Sequence, residues 1–169
     1  IEKTKTHGGS NRYYIKKKNN HFYKISNNVK NEINKELIFG LDKLSTYKKF
    51  EKKVKISKQN LLKIFTDLKK NNLRIIGYGA TAKSCTVLNY CGIGNKNIKY
   101  FYDTTSYKVN KYLPGTKILI KKYKKLNRNE VDAVYLGAWN FKEEIFKKEK
   151  IFIKKGGKFI THIPYPRII

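Results

Sequence analysis

The sequence predicts an α/β fold: a mostly parallel sheet flanked by helices, preceded by an N-terminal arm of one strand and two helices. Three observations carry this. From residue 73 onward, short apolar runs alternate with helix-length segments. Those runs are nearly continuous in apolar character, as expected of strands covered on both faces. Before residue 73 the rhythm differs, with apolar residues returning at steps of three and four.

Each element can be justified in turn. HGGSNRYYIKKK, residues 7–18, has two glycines and then alternating aromatic and polar residues, a loop entering a strand. NNVKNEINKELIFGLDKL, residues 27–44, places Val29, Ile33, Leu37, Leu41 and Leu44 on one helical stripe. A second helix runs to about residue 70, with Ser57 as a local cap and Leu61, Leu62, Ile64, Phe65 and Leu68 as its buried face. Both stripes read as core, and Asn71–Asn72 end the second helix. LRIIGYG is a strand, ATAKSCTVLNYCGI a helix ended by Gly92, and IKYFYD the next strand. KYLPGTKILI holds a turn at Pro114–Gly115 and a short strand, and KKYKKLNRNE is a connector. VDAVYLGAW is a strand, NFKEEIFKKEKIFIKKG one helix, and KFITHIP the last strand. Right-handed crossovers between such strands make residues 73–169 a Rossmann-like domain and residues 1–72 the arm.

Composition bounds the function. The formal charge is +27, yet only Arg12, Arg74, Arg128 and Arg167 are arginines. A nucleic-acid reader concentrates arginine for bidentate phosphate and guanine contacts. Here lysines are dispersed, as KKK at residues 16–18 and pairs beginning at Lys48, Lys52, Lys69, Lys121, Lys124, Lys147 and Lys154. A solvated lysine surface fits better than a specific nucleic-acid face, with non-specific adhesion to polyanions at low salt. Cys85 and Cys91 have no Cys/His cluster around them, which excludes a structural zinc site and points to free thiols in a reducing cytoplasm. No run approaches the roughly 18 apolar residues of a membrane span, and the N-terminal residues lack a secretory apolar core. A chain opening on Ile1 is expected to be a fragment or excised domain.

The chemistry-bearing residues cluster at predicted strand ends. In GYGATA, Gly77 permits a tight turn, Gly79 a close backbone approach and Ala82 close helix–strand packing. Helix-start N–H groups with Lys83 would favour an anion, and Asp103 stands where a ribose-binding acid would. By itself this turn suggests NAD; small residues at such a turn also simply permit packing. HGGS, residues 7–10, offers His7, Gly8, Gly9 and Ser10 within one turn, a loop able to wrap a phosphate or to remain exposed. Trp139 and Asn140 follow a strand, where ligands bind in open α/β sheets, and Asn140 can also cap the next helix. His162 reads as a satisfied core or edge residue, and His21 has no context. There is no G-x-S-x-G, no P-loop and no H-E-x-x-H.

Read in order, HGGSNRYY, GYGATAKSCTVLNYCGI, YFYDTTSYKVNKYLPGTKI, LGAWNFKEEI and GGKFITHIPYPRII resemble the C-terminal domain of S-adenosylmethionine-dependent sugar C-methyltransferases. The resemblance spans nearly the whole chain. Two departures stand out: Ser84 where the family pattern has glycine after A-x-A-K, and Ile118-Leu119-Ile120 after the PGT turn. The resemblance implies that complete enzymes carry a zinc-binding N-terminal segment and a central methyltransferase domain, which holds S-adenosylmethionine and the catalytic residues. It implies that this chain supplies the nucleotide-sugar side, with no catalytic residue of its own. Gly77, Tyr78, Gly79, Ala80 and Lys83 would then meet the diphosphate or sugar through backbone N–H groups, the Tyr78 ring and the lysine charge. His7, Gly8, Gly9, Ser10 and Arg12 would face the central domain. Asp103 and Lys108 would border the pocket, and Trp139 and Asn140 would close it. The competing readings are an NAD(P)-binding oxidoreductase fragment and a basic nucleic-acid-binding module.

Overall fold

The paired glycines near the N-terminus reverse the chain: Gly8 and Gly9 both hold positive φ, beside a 3₁₀ turn at Thr6–Gly8. Strand β1 (Glu2–Thr4) therefore pairs antiparallel with β2 (Ser10–Arg12), so the arm holds a hairpin where a single strand is predicted. The computed structural model describes the backbone of residues 1–169 and every side chain except that of His7.

Helix α1 (Asn27–Phe39) stops at Gly40, whose left-handed φ of 82° breaks the stripe predicted to run to Leu44. None of its residues is buried, and Ile33 and Leu37 stay about half exposed. The expectation that this stripe is core is therefore overturned. Helix α2 (Leu44–Lys70) is continuous for 27 residues, and Ser57 lies in its interior instead of capping it. No Gly or Pro interrupts that span, and helix once nucleated propagates through a lone serine at small cost. Only the C-terminal half of α2 is buried, through Leu61, Phe65 and Leu68. The chain divides into two compact units, residues Ile1–Val54 and Lys55–Ile169, the boundary falling inside α2.

The second unit is the α/β sheet. Strand β3 (Ile75–Tyr78) leads through α3 (Ala82–Cys91) to β4 (Phe101–Asp103). Next come β5 (Tyr112–Leu113) and β6 (Ile118–Lys122), then β7 (Ala133–Leu136). Helices α4 (Lys142–Lys148) and α5 (Lys150–Lys154), strand β8 (Lys158–Thr161) and the short β9 (Arg167–Ile168) complete it. The sheet order is β5-β6-β4-β3-β7-β8-β9; the five inner strands are parallel and both edge strands antiparallel.

Alternation along β7 shows how both faces are covered. Ala133 and Tyr135 join Leu61, Phe65, Leu88 and Phe101 on one face, while Val134 and Leu136 join Ile76, Phe152 and Phe159 on the other. Each such large side chain, fully buried, contributes roughly 1.5–3 kcal/mol. Asp132 ties the entry of β7 to that of β3: it accepts from the Arg74 backbone N–H and Nε, both at 2.8 Å, and from Arg128. The Arg74 bonds, opposed by partial burial and helped by Arg128, hold the Asp132 carboxyl well below the usual range.

The single helix predicted over NFKEEIFKKEKIFIKKG is split at Glu149. That side chain is 1% exposed and accepts from Tyr123 Oη at 2.6 Å and from the Leu126 N–H at 3.2 Å. A buried carboxylate with two fixed donors outweighs one turn of helix continuity. No helix among the described residues is long and apolar enough to cross a membrane.

Candidate functional site

Strand order decides where a ligand can sit. From β3 the chain moves outward through β4 and β6, then returns to the other side of β3 as β7. The switch point lies between β3 and β7, and their C-terminal ends lead into Gly79–Thr81 and Gly137–Trp139. Gly79 has a φ of 80°, and an added Cβ would lie 2.5 Å from the Ala138 Cβ, so only glycine lets the two segments close. Gly77 is a packing residue, since a Cβ there would stand 2.4 Å from the Phe101 ring.

The turn satisfies most of its own donors. Gly77 N–H donates to Tyr100 O, Gly79 N–H to Tyr102 O, and Ala80 N–H to Asp103 Oδ2, each at 2.8 Å. Thr81 caps α3 in a reciprocal box: its Oγ1 accepts from Ser84 N–H at 3.1 Å, and Ser84 Oγ accepts from Thr81 N–H at 3.1 Å. Ser84 is fully buried and donates to Thr81 O at 2.7 Å. Ser84 thus builds the helix start. The N–H groups expected to meet a diphosphate at Gly77, Gly79 and Ala80 are engaged within the protein.

Lys108 joins the same turn. Its Nζ donates to Ala80 O at 2.9 Å and lies 3.5 Å from Asp103 Oδ2. Burial alone would raise the Asp103 carboxyl, but bonds from Thr105 and Ala80 and the Lys108 charge hold it below the ordinary carboxylate range. Two cavities meet at Thr81 and Lys108. One, of about 380 Å³, is lined by Tyr78, Gly79, Asp103, Thr105, Phe141 and Lys148 among others. The other, of about 660 Å³, is more apolar, with Ala80, Cys85, Asn89, Tyr107, Leu113 and Pro114 in its wall.

Tyr78 is buried: it packs at 5.5 Å from the Tyr123 ring, and burial followed by the Glu149 charge raises its hydroxyl to about 12. Lys83 Nζ sits 4.8 Å above the Trp139 ring, joining helix α3 to the segment after β7. Asn140 lies in the 3₁₀ turn Trp139–Phe141, and Phe141, not Asn140, precedes α4 as its cap without a side-chain bond. Gly8, Gly9, Ser10 and Arg12 belong to the first unit. There Ser10 Oγ donates to Thr6 O at 3.0 Å and Arg12 pairs with Glu2 at 3.3 Å, all exposed. The His7 side chain lies outside the described residues.

Sequence reasoning missed Thr81 and Asn89. The T-x-x-S spacing was a readable capping signal, whereas nothing marks Asn89, whose Nδ2 donates to Cys85 O and, at 2.9 Å, to Pro114 O, fastening the Pro114–Gly115 turn to α3. His162 is buried and stacked on Tyr135 at 5.4 Å. Among the described residues its Nδ1 has no hydrogen-bond partner, so it is not the satisfied residue expected.

Comparison with known proteins adds two findings. The family model described as the C-methyltransferase C-terminal domain matches residues 5–164. A relative, the C-methyltransferase NovU of Streptomyces niveus, is 41% identical over 95 residues, which are 56% of this chain and 23% of the relative. This chain thus matches less than a quarter of that protein's length. Because the family match covers most of the chain, with the switch-point turn and both cavities inside it, the chain belongs to the C-methyltransferase C-terminal domain family.

Proposed function

We propose that this chain is the nucleotide-sugar-binding domain of an S-adenosylmethionine-dependent C-methyltransferase acting on a nucleotide-linked deoxysugar. The methyl donor, the zinc and the proton-abstracting base belong to parts of the enzyme outside this chain. The observation that carries the reading is Lys108 spanning two unlike cavities at the topological switch point. A nucleotide-sugar has that character: flat and partly apolar at the base, anionic at the diphosphate, polar at the sugar. The larger cavity, with Tyr107 and Tyr112 exposed at its wall, suits a base. Lys108, Lys83 and Lys148 supply cations for the phosphates, and the smaller cavity suits the sugar.

The residues present do not suit an adenosyl group or NAD at the same turn. Such a ligand needs a free acid for its ribose hydroxyls and free amides at the glycine turn. Asp103 is occupied by Ala80, Thr105 and Lys108, and the Gly79 and Ala80 amides are engaged. No step through S-adenosylmethionine is therefore assigned to this chain. Its contribution is to bind and orient the acceptor, an entropic and positional role.

The test is calorimetric titration of the chain with a deoxythymidine-diphosphate sugar, NADH and a short oligonucleotide at physiological salt. Saturable binding of the nucleotide-sugar alone is expected, weakened at least tenfold by Lys108→Met. Preferential binding of NADH, or of the oligonucleotide with a steep salt dependence, would replace this reading with an oxidoreductase fragment or a nucleic-acid module.

A further inference from the structure

The buried side-chain atoms left without a hydrogen-bond partner share one corner of the sheet. Among the described residues they are Tyr135 Oη, Thr161 Oγ1, His162 Nδ1 and Arg167 Nε, on β7, β8 and β9 or just past β8. Buried polar groups are normally paired, so such a cluster calls for an occupant. Alternation sorts it into two pairs. Tyr135 and His162 stack on the face packed with Leu61 and Phe65. Thr161, two residues beyond Phe159, lies on the opposite face, and its cross-strand partner there is Arg167.

Arg167 differs from the other arginines. Arg12 pairs with Glu2, and Arg74 and Arg128 pair with Asp132. Arg167 meets no carboxylate among the described residues, and residues 150–169 contain no Asp or Glu. Its Nη1 donates to Tyr165 Oη at 3.2 Å, and the Tyr165 ring lies 5.1 Å from the guanidinium. A neutral phenol is thus the acceptor of a cation whose fork suits a charged one, while Nε has none. Tyr165 is 56% exposed and free to turn into solvent; Thr161, 1% exposed, is fixed.

We propose that Arg167 and Thr161 form an oxyanion site, for a carboxylate or a phosphate group, with Tyr165 as its displaceable cover. One oxygen of the ligand accepts from the Arg167 Nε–H and the Thr161 hydroxyl. A second accepts from the neighbouring guanidinium N–H in place of the weaker phenol. The site stands at the C-terminal end of β8, two strands across from β3. Neither residue lines the two switch-point cavities, and Arg167 lies past the segment that the family model matches. The proposal is therefore independent of the nucleotide-sugar reading.

NMR titration of this chain in physiological chloride tests the site through the Arg167 Nε–Hε resonance and the Thr161 amide. Inorganic phosphate is added in one arm and acetate in the other. A saturable shift of both signals is expected in at least one arm, and the arm that responds identifies the group as phosphate or carboxylate. Arg167→Lys keeps the charge but loses the planar fork, and should weaken binding at least tenfold as read at the Thr161 amide. Thr161→Val keeps the branched shape without the hydroxyl, and should weaken binding several-fold. It should leave the melting temperature in chloride unchanged or raised, because a buried hydroxyl with no partner costs stability. No saturable shift in either arm overturns the proposal. So does binding that Arg167→Lys leaves intact. A lower melting temperature for Thr161→Val also overturns it, since the hydroxyl would then already be satisfied within the protein.

Discussion

Ser84 illustrates how one side chain resets a site. Glycine at that position could not reciprocate with Thr81, whereas the serine both donates to and accepts from it while fully buried. Ser84→Gly should cost about 2 kcal/mol, combining a lost cap, lost buried bonds and glycine's helix penalty. Thermal denaturation checks this as a fall of roughly 4–8 °C. Gly79→Ala is expected to be worse for binding than for folding. The new methyl must displace Ala138 from 2.5 Å, shifting the segment that carries Trp139, so nucleotide-sugar affinity should drop at least tenfold. The glycines of this turn were legible in the sequence because strand-to-helix turns need them. Asn89 was not, since its role depends on a Pro114 carbonyl brought near only by folding.

Among the elements, the sheet was readable and the helices only in part. The apolar runs at residues 75–78, 118–120 and 133–136 had no other home than a doubly covered sheet, and they form β3, β6 and β7. The two-residue edge strands β5 and β9 were invisible, because so short a run carries no periodicity. The break between α4 and α5 was equally hidden, since every residue around Glu149 favours helix and only its contacts with Tyr123 and Leu126 divert it. Glu149→Ala should leave the Tyr123 hydroxyl without its acceptor and cost about 2 kcal/mol. It should also lower nucleotide-sugar affinity, because the Tyr123 ring packs on Tyr78 and lies 3.7 Å beneath Lys148 at the smaller cavity. The α1 stripe misled because helical periodicity marks an apolar face without stating what covers it.

Across the whole molecule, acid stability should be governed by one buried imidazole before any carboxylate. Burial pushes His162 down to about 4, below the ordinary value near 6.5. Above pH 6.5 it is neutral folded or unfolded and exerts no pull. Between pH 6.5 and 4 the unfolded chain takes a proton that the folded chain refuses, so stability falls, by on the order of 3 kcal/mol in total. Urea melts across that range should show the slope in the native chain and lose it in His162→Phe, which can keep the stack on Tyr135. Asp103 and Asp132 act at lower pH, since their depressed carboxyls lose their contribution only as pH falls below the ordinary carboxylate range.

The central claim, that the β3–β7 switch point is a nucleotide-sugar site, is tested most directly by NMR titration with a deoxythymidine-diphosphate sugar. Saturable shifts are expected at the Thr81, Lys83, Lys108 and Trp139 amides. Shifts confined to residues 52–70 of α2, or none at all, would contradict it.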